Sequence, residues 1–164
     1  MTRIPVRAGL RLNITFPLLL LLAGILCVSC SKKPDEGEDT NVTTLGSVEV
    51  TAKLVEIKGE LPDIPMYDYA FVMKYEVLTV HRGKLGTDTI YVGHYNPLKP
   101  RASVADARVP GIGGNLKRFK VADTHRMALE VPIDDYYMGG IINRYFGQNK
   151  EPIYWGVWTN RVVK

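Results

Sequence analysis

The strongest constraint on the fold is the run of aromatic and β-branched side chains at residues 69–81, within which apolar and polar side chains alternate from Met73 to Val77. One parity carries bulky apolar side chains: Tyr69, Phe71, Met73, Tyr75 and Val77. The opposite parity carries Lys74 and Glu76. Because successive side chains of a β-strand point to opposite faces, this period of two predicts a long strand with one buried face. No convincing long amphipathic helix accompanies it, so we expect an all-β protein.

The same reasoning predicts about six strands along the chain. They cover residues 48–57, 69–81, 89–95, 116–121, 125–131 and 153–163. In the first of them the apolar parity changes after Leu54, which predicts a β-bulge. Segments rich in proline and glycine separate the strands and leave room for one or two short helices. The expected architecture is a small antiparallel β-barrel or sandwich of five to six strands.

The central strands resemble a known family of barrels. A long aromatic second strand is followed by Val80-His81-Arg82-Gly83-Lys84-Leu85, then by Thr89-Ile90-Tyr91-Val92 and a late hairpin. This order is similar to the oligonucleotide/oligosaccharide-binding (OB) barrel and to its netrin-like relatives, which include metalloproteinase inhibitors. The resemblance covers roughly residues 46–131 and lacks the cysteines of the animal proteins. It implies an OB-like fold and does not imply an activity.

The first 29 residues have the composition of an export signal. Arg3, Arg7 and Arg11 precede a run of 13 residues, Phe16 to Val28, that contains no charge. That run is shorter than the roughly 20 apolar residues that a membrane-spanning helix needs. A basic region followed by a short apolar region is typical of a cleaved signal peptide, although an uncleaved anchor has a related composition.

The end of this leader resembles the lipobox of bacterial lipoproteins. Cys27-Val28-Ser29-Cys30 places a small residue before Cys30, and only Cys27 departs from the usual leucine. The resemblance implies that Cys30 receives diacylglycerol and becomes the new N-terminus. We therefore expect a lipid-anchored protein of the bacterial cell envelope. No aspartate follows Cys30, which favours the outer membrane, facing the periplasm or the cell surface.

The expected organisation is a signal peptide at 1–29, a lipidated Cys30 with a disordered tether at 30–44, and one barrel domain at 45–164. Residues 31–44 contain a single apolar residue, Val42, and cannot offset the entropy of ordering. Both cysteines of the chain lie at or before position 30. The barrel therefore has no disulfide, no thiolate metal site and no thiol nucleophile.

No motif of a catalytic nucleophile is present. After the expected signal peptide, residues 30–164 have neither a G-x-S-x-G nor an S-x-x-K pattern. His81, His94 and His125 lie on separate predicted strands without the spacing of a zinc motif. A barrel could nevertheless bring the three histidines together. A metal-dependent accessory or envelope enzyme that uses them is therefore the alternative to a protein without enzymatic activity and without a cofactor.

The charge of the chain is distributed unevenly. Without the leader, 18 basic residues face 17 acidic ones, which gives no support to nucleic acid as a partner. Residues 99–126 carry seven basic and two acidic residues, whereas residues 31–68 carry four basic and nine acidic ones. Such a contrast is typical of solvated faces and also of a surface that recognises an anionic ligand.

The stretch 94–101 is the most suggestive candidate for binding, because aromatic, amide and basic side chains adjoin one another there. The candidate contacts are His94, Tyr95, Asn96, Lys99 and Arg101. Aromatic rings stack on sugars or peptides, and basic groups form charge-assisted hydrogen bonds. The sequence thus predicts a membrane-anchored, non-enzymatic barrel that binds an envelope protein or an anionic polysaccharide.

Overall fold

A computed structural model describes residues 39–148 and 150–163. The elements are α1 (Thr40–Thr44), β1 (Val48–Glu56), β2 (Tyr69–Arg82), β3 (Thr89–Tyr95), β4 (Thr124–Glu130), β5 (Gly140–Ile142) and β6 (Tyr154–Arg161), with single 3-10 turns at Arg101–Ser103 and Ile133–Asp135. Strands therefore dominate, and the prediction of an all-β protein with short helices is confirmed. No helix of the described residues is long and apolar enough to cross a membrane.

Five strands close into a barrel in the order β1-β2-β3-β6-β4, with β4 pairing back to β1. All these pairings are antiparallel except the one between β3 and β6. The sixth strand, β5, pairs in parallel with the first three residues of β2, just beyond the end of β1. The predicted small OB-like barrel is thus confirmed as a closed five-stranded barrel with one added strand.

One predicted strand is absent, and one observed strand was not predicted. Residues 116–121 form no strand, although Leu116 O accepts from Arg101 N at 2.9 Å and Leu116 N donates to Thr159 O at 3.4 Å. The sixth strand is instead β5, in a segment whose glycines and charges predicted a loop or a short helix. The predicted bulge in β1 is confirmed, because its register against β2 shifts between Leu54 and Glu56.

The alternation along the strands separates two apolar clusters. Phe71, Met73 and Tyr75 of β2 point into the barrel with Ile90 and Val92 of β3, and all are fully buried. The opposite face of β2, β3 and β6 is covered from outside by the segments after β3 and after β4. That outer cluster contains Ala70, Tyr95, Val104, Val109, Ile112, Ile133, Tyr137 and Trp155. Both faces of these three strands are therefore covered where the two clusters lie.

The folded part of the chain begins earlier than the predicted tether ends. Thr40–Thr44 form α1, and Val42 is buried to 1 % exposure. Arg82 donates hydrogen bonds to the carbonyl groups of Thr43, Leu45 and Gly46, which attaches this segment to the barrel. Residues 40–44 are thus part of the folded domain. The expected signal peptide, Cys30 and most of the expected tether lie outside the described residues.

Candidate interaction surface at the loop end of the barrel

The candidate residues lie where β3 ends and its following loop begins. Asn96 takes a left-handed backbone conformation with φ of +40°, which turns the chain out of β3. Its amide oxygen accepts from Tyr69 N at 3.3 Å, and its amide nitrogen donates to Asp68 Oδ1 at 2.6 Å. Asparagine tolerates this conformation better than most residues because its short side chain can bond locally. Asn96 therefore connects the loop after β3 to the loop before β2.

His94 and Tyr95 point to opposite sides of the sheet, as neighbours on a strand must. His94 is fully buried inside the barrel, and Tyr95 is fully buried in the outer cluster. The Tyr95 hydroxyl donates to Asp106 Oδ2 at 2.5 Å and accepts from Arg108 at 3.1 Å. Burial and the adjacent Asp106 raise the pKa of Tyr95. That hydrogen bond in turn holds the pKa of Asp106 below its usual range.

Arg101 is a structural residue of the loop and is only 2 % exposed. Its guanidinium donates to the carbonyl groups of Asn96 and Lys99 at 2.7 and 3.1 Å and lies over the Phe119 ring. Burial lowers the pKa of Arg101 to about 10, which still leaves it protonated at neutral pH. Replacing Arg101 by glutamate would remove these hydrogen bonds and disrupt the loop conformation, so the substitution would not test a surface contact.

Of the five predicted contacts, Lys99 alone has a mostly exposed side chain. Its ammonium lies 3.6 Å from Asp68 Oδ1, and Arg108 pairs with the other oxygen of Asp68. The sequence therefore located a structural network and not a set of exposed contacts. This network joins the loop before β2 to the loop after β3 and fixes the shape of the surface between them.

That surface is a groove of about 290 Å³ between residues 62–69 and 96–99. It exposes four large apolar side chains, here called the apolar loop surface: Ile64 (40 %), Met66 (104 %), Tyr67 (51 %) and Leu98 (51 %). Isolated apolar side chains on a surface are common, whereas several lining one groove indicate a contact site. None of these four side chains is among the contacts predicted from the sequence, although Pro65, directly before Met66, is typical of a turn.

The turn that carries Met66 has an unfavourable residue at its most restricted position. Tyr67 N donates to Ile64 O at 3.2 Å, Pro65 occupies the second position, and Met66 has φ of +63°. Proline followed by a positive φ is typical of a type II turn, in which glycine or asparagine is preferred. A methionine here costs stability and presents its whole side chain to solvent. Folding therefore does not explain why methionine occupies this position.

No family model, curated protein or solved structure matches this chain. The function of the protein is therefore inferred from its own sequence and geometry.

Two of the three histidines meet inside the barrel. The Tyr75 hydroxyl lies 3.0 Å from His94 Nε2 and 3.3 Å from His125 Nδ1, and all three residues are fully buried. A hydroxyl donates one hydrogen bond and accepts another, so it serves both rings when they are neutral. The ring nitrogens that do not contact Tyr75, His94 Nδ1 and His125 Nε2, are buried and have no hydrogen-bond partner in the described part of the protein. Gly156 passes close to His94: a Cβ there would lie 2.6 Å from Nδ1, so a larger residue would collide with the ring.

The third histidine lies apart from this cluster. His81 is exposed near the end of β2, and its Nε2 is 2.8 Å from Thr51 Oγ1. Within residues 39–148 and 150–163, no three His, Cys, Asp or Glu side chains are grouped to hold a metal ion. The three-histidine site that the sequence left open is therefore not formed by these residues. Tyr75, His94 and His125 instead form a buried polar cluster of the barrel interior.

Proposed function

We propose that this protein is a lipid-anchored component of the bacterial cell envelope whose barrel is a non-enzymatic docking module. Cys30 carries the lipid, with the outer membrane as the expected site. The apolar loop surface binds an envelope protein partner. The observation that carries the docking role is Met66, a fully exposed methionine at a turn position that disfavours it. Methionine suits such a role because its flexible, polarizable side chain adapts to a partner.

The arrangement of the loops supports a protein ligand over an anionic glycan at this groove. Four large apolar side chains are exposed along it, and Lys99 and Arg108 are already paired with Asp68. A glycan-binding groove would offer free basic groups and hydrogen-bond donors. Protein interfaces, by contrast, bury aromatic and methionine side chains at their centre. Leu98 and Tyr67 would serve as anchors beside Met66.

The partner site can be tested without disturbing the fold by changing Met66 to glycine. Glycine accepts φ of +63°, so relief of backbone strain offsets the greater entropy of the unfolded chain. We expect a free energy of unfolding within about 1 kcal/mol of wild type and at least tenfold weaker capture of the partner. Affinity capture from envelope extracts, followed by titration of the recovered partner, measures the second quantity.

Leu98→Asp and Leu78→Asp form a matched pair for this test. The two leucines are 51 % and 53 % exposed, but Leu78 lies on β2, outside the groove. Leu98→Asp should abolish capture, and Leu78→Asp should preserve it. Equal capture by both variants would refute the assignment of the surface. Recovery of a polysaccharide in place of a protein would make the ligand the anionic glycan that the sequence also predicts.

The lipid anchor has its own test at the mature N-terminus. Mass spectrometry of protein purified from membranes should find a chain that begins at Cys30 and carries acyl chains. Cys30→Ser should leave the precursor with Met1 intact, whereas Cys27→Ser should be processed as in wild type. An unmodified Cys30, or processing that depends on Cys27, would contradict the proposed anchor.

A further inference from the structure

A second groove lies on the barrel beside the β3–β4 connection and the end of β6. It has a volume of about 470 Å³ and is lined by Asn115, Leu116, Lys117, Arg118, Lys120, Asp123, Arg161 and Val163. Its four basic residues face one acidic residue, a local charge of +3. The four basic side chains belong to exposed residues, and none forms an ion pair with a described carboxylate.

These four residues differ from the other basic residues of the same region. Arg101 is buried in the loop, Arg108 is paired with Asp68 and Asp106, and Arg126 is paired with Glu49. The positive charge that the sequence shows between residues 99 and 126 is therefore partly neutralised or buried by folding. Lys117, Arg118 and Lys120 remain free, and Arg161 of β6 joins them. Folding thus concentrates the available charge in one groove.

The groove lies next to the point where the N-terminal segment joins the barrel. Asp39 Oδ2 accepts from Asn160 Nδ2 at 3.0 Å and from Trp158 Nε1 at 2.6 Å. Asn160 Oδ1 in turn accepts from the backbone N of Asn115 at 2.9 Å, and Asn115 lines the groove. Two hydrogen bonds thus connect Asp39 to the wall of the basic groove.

Chain length then limits how far the groove can lie from a lipid attached at Cys30. Nine residue steps separate Cys30 from Asp39, and a fully extended chain covers at most about 32 Å over that distance. Whatever the path of these residues, a lipidated Cys30 keeps Asp39 within that distance of the headgroups. The groove, two hydrogen bonds away, is therefore held at high effective concentration against the membrane surface.

We propose that the groove formed by Lys117, Arg118, Lys120 and Arg161 docks on the anionic phospholipid headgroups of the membrane that holds the lipid anchor. This inference rests on the proposed lipidation of Cys30. Basic residues near an anionic surface each add attraction, and that attraction fades with added salt. The contact would orient the barrel on the membrane, which acyl chains on a tether cannot do. Soluble polyanions are the competing class of ligand.

The test measures partitioning of the full chain carrying Cys30→Ser, so that no acyl chain contributes. Vesicles of phosphatidylcholine are compared with vesicles that also contain phosphatidylglycerol. Lys117→Glu combined with Arg118→Glu should lower the preference for anionic vesicles about tenfold and leave binding to neutral vesicles unchanged. Added salt should remove the difference between this variant and the parent chain.

A charge-matched control separates the effect of the groove on vesicle binding from the effect of net charge. Lys84 and Lys150 are exposed residues outside the groove, and reversing both changes the net charge equally. Lys84→Glu/Lys150→Glu should retain the anionic preference, and Lys120→Glu/Arg161→Glu should lose it as the first pair does. Equal losses in the groove and control variants would overturn the proposal. So would a groove-dependent affinity for dextran sulfate without any for anionic vesicles.

The vesicle measurement does not depend on lipidation, because the protein carries Cys30→Ser, and lipidation is determined separately by mass spectrometry of the mature N-terminus. An acylated Cys30 with no groove-dependent binding would leave the anchor in place and refute the docking site. An unmodified Cys30 would refute the anchor, and with it the placement of the groove at the membrane. The two failures are thus distinguishable.

Discussion

Lowering the pH from 7 to 5 is expected to reduce the free energy of unfolding by about 2 kcal/mol through His125 alone. Burial lowers the pKa of His125 to about 4, with Asp123 opposing and Arg161 reinforcing the shift. In the unfolded chain the same histidine titrates near its ordinary pKa of 6.5. Below that pH the unfolded state binds a proton that the folded state does not bind, so the free energy of unfolding falls. The loss is complete once the pH drops below the folded pKa.

His94 adds to the same decline. Burial lowers its pKa well below the usual range, and the positive charge of Arg101 lowers it further, as does that of His125 once His125 is protonated. Both rings bond to the Tyr75 hydroxyl and are neutral in the folded protein. Placing a positive charge on either ring would require desolvating it without a carboxylate partner in hydrogen-bond contact. Acidic pH therefore lowers the free energy of unfolding through the two histidines inside the barrel.

Urea unfolding at several pH values between 7 and 5 measures this effect. His125→Gln keeps a polar group beside Tyr75 and removes the titration, so its decline over that range should be shallower by about 2 kcal/mol. The variant can be less stable than wild type at pH 7 without affecting the test, because the test compares how much each protein's free energy of unfolding changes between pH 7 and pH 5. His81→Ala alters an exposed histidine and should leave the decline as in wild type. Equal declines in all three proteins would contradict the account.

Removing the charge of Glu49 is expected to destabilise the protein by about 3 kcal/mol, because two arginines would lose their shared partner. Glu49 is 4 % exposed, and its Oε1 accepts from Arg126 Nη2 at 2.6 Å and from Nε at 2.9 Å. Its Oε2 lies 3.2 Å from Arg82 Nη1. The same Arg82 bonds the carbonyl groups that follow α1. Glu49 thus holds both the β1–β4 pairing and the N-terminal segment.

Glu49→Gln tests this with little change in volume, and thermal or urea unfolding measures the loss. Glu76→Gln is the control, since Glu76 is exposed on β2 opposite Lys53 and should cost less than about 1 kcal/mol. The double variant Glu49→Gln/Arg126→Gln should cost less than the sum of the single variants, because the contact between these two side chains is lost in each single variant and is counted twice in the sum. Strict additivity would show that the two side chains do not act as a pair.

Local pattern was sufficient for five of the six strands that the structure describes. Met73, Tyr75 and Val77 alternate with Lys74 and Glu76, and a strand with one buried face is the conformation that satisfies this period. The parity change after Leu54 predicted the bulge for the same reason. These features depend on neighbours within a few residues, which the sequence displays directly. The barrel class followed, because several such strands must cover their apolar faces with one another.

The functional surfaces could not be derived in this way. In the sequence Arg101 cannot be distinguished from an exposed basic residue. In the fold it is buried and donates to the carbonyl groups of Asn96 and Lys99, whereas Lys117 is exposed. Met66 becomes notable only when its positive φ is known. Which charges remain free depends on pairings between distant residues. Those pairings are properties of the closed barrel and not of any local window.

The three histidines show most clearly which features the sequence determines and which require the tertiary structure. From the sequence, His81, His94 and His125 are three equivalent strand residues, and alternation tells at most which side of its own strand each one takes. Closure of the barrel brings His94 and His125 onto one hydroxyl and leaves His81 outside. The sequence alone determined five of the six described strands, the absence of cysteine after Cys30 and the resemblance of the leader to a lipobox, because these are local features. Convergence of side chains required the tertiary structure, because strand pairing decides which distant residues meet.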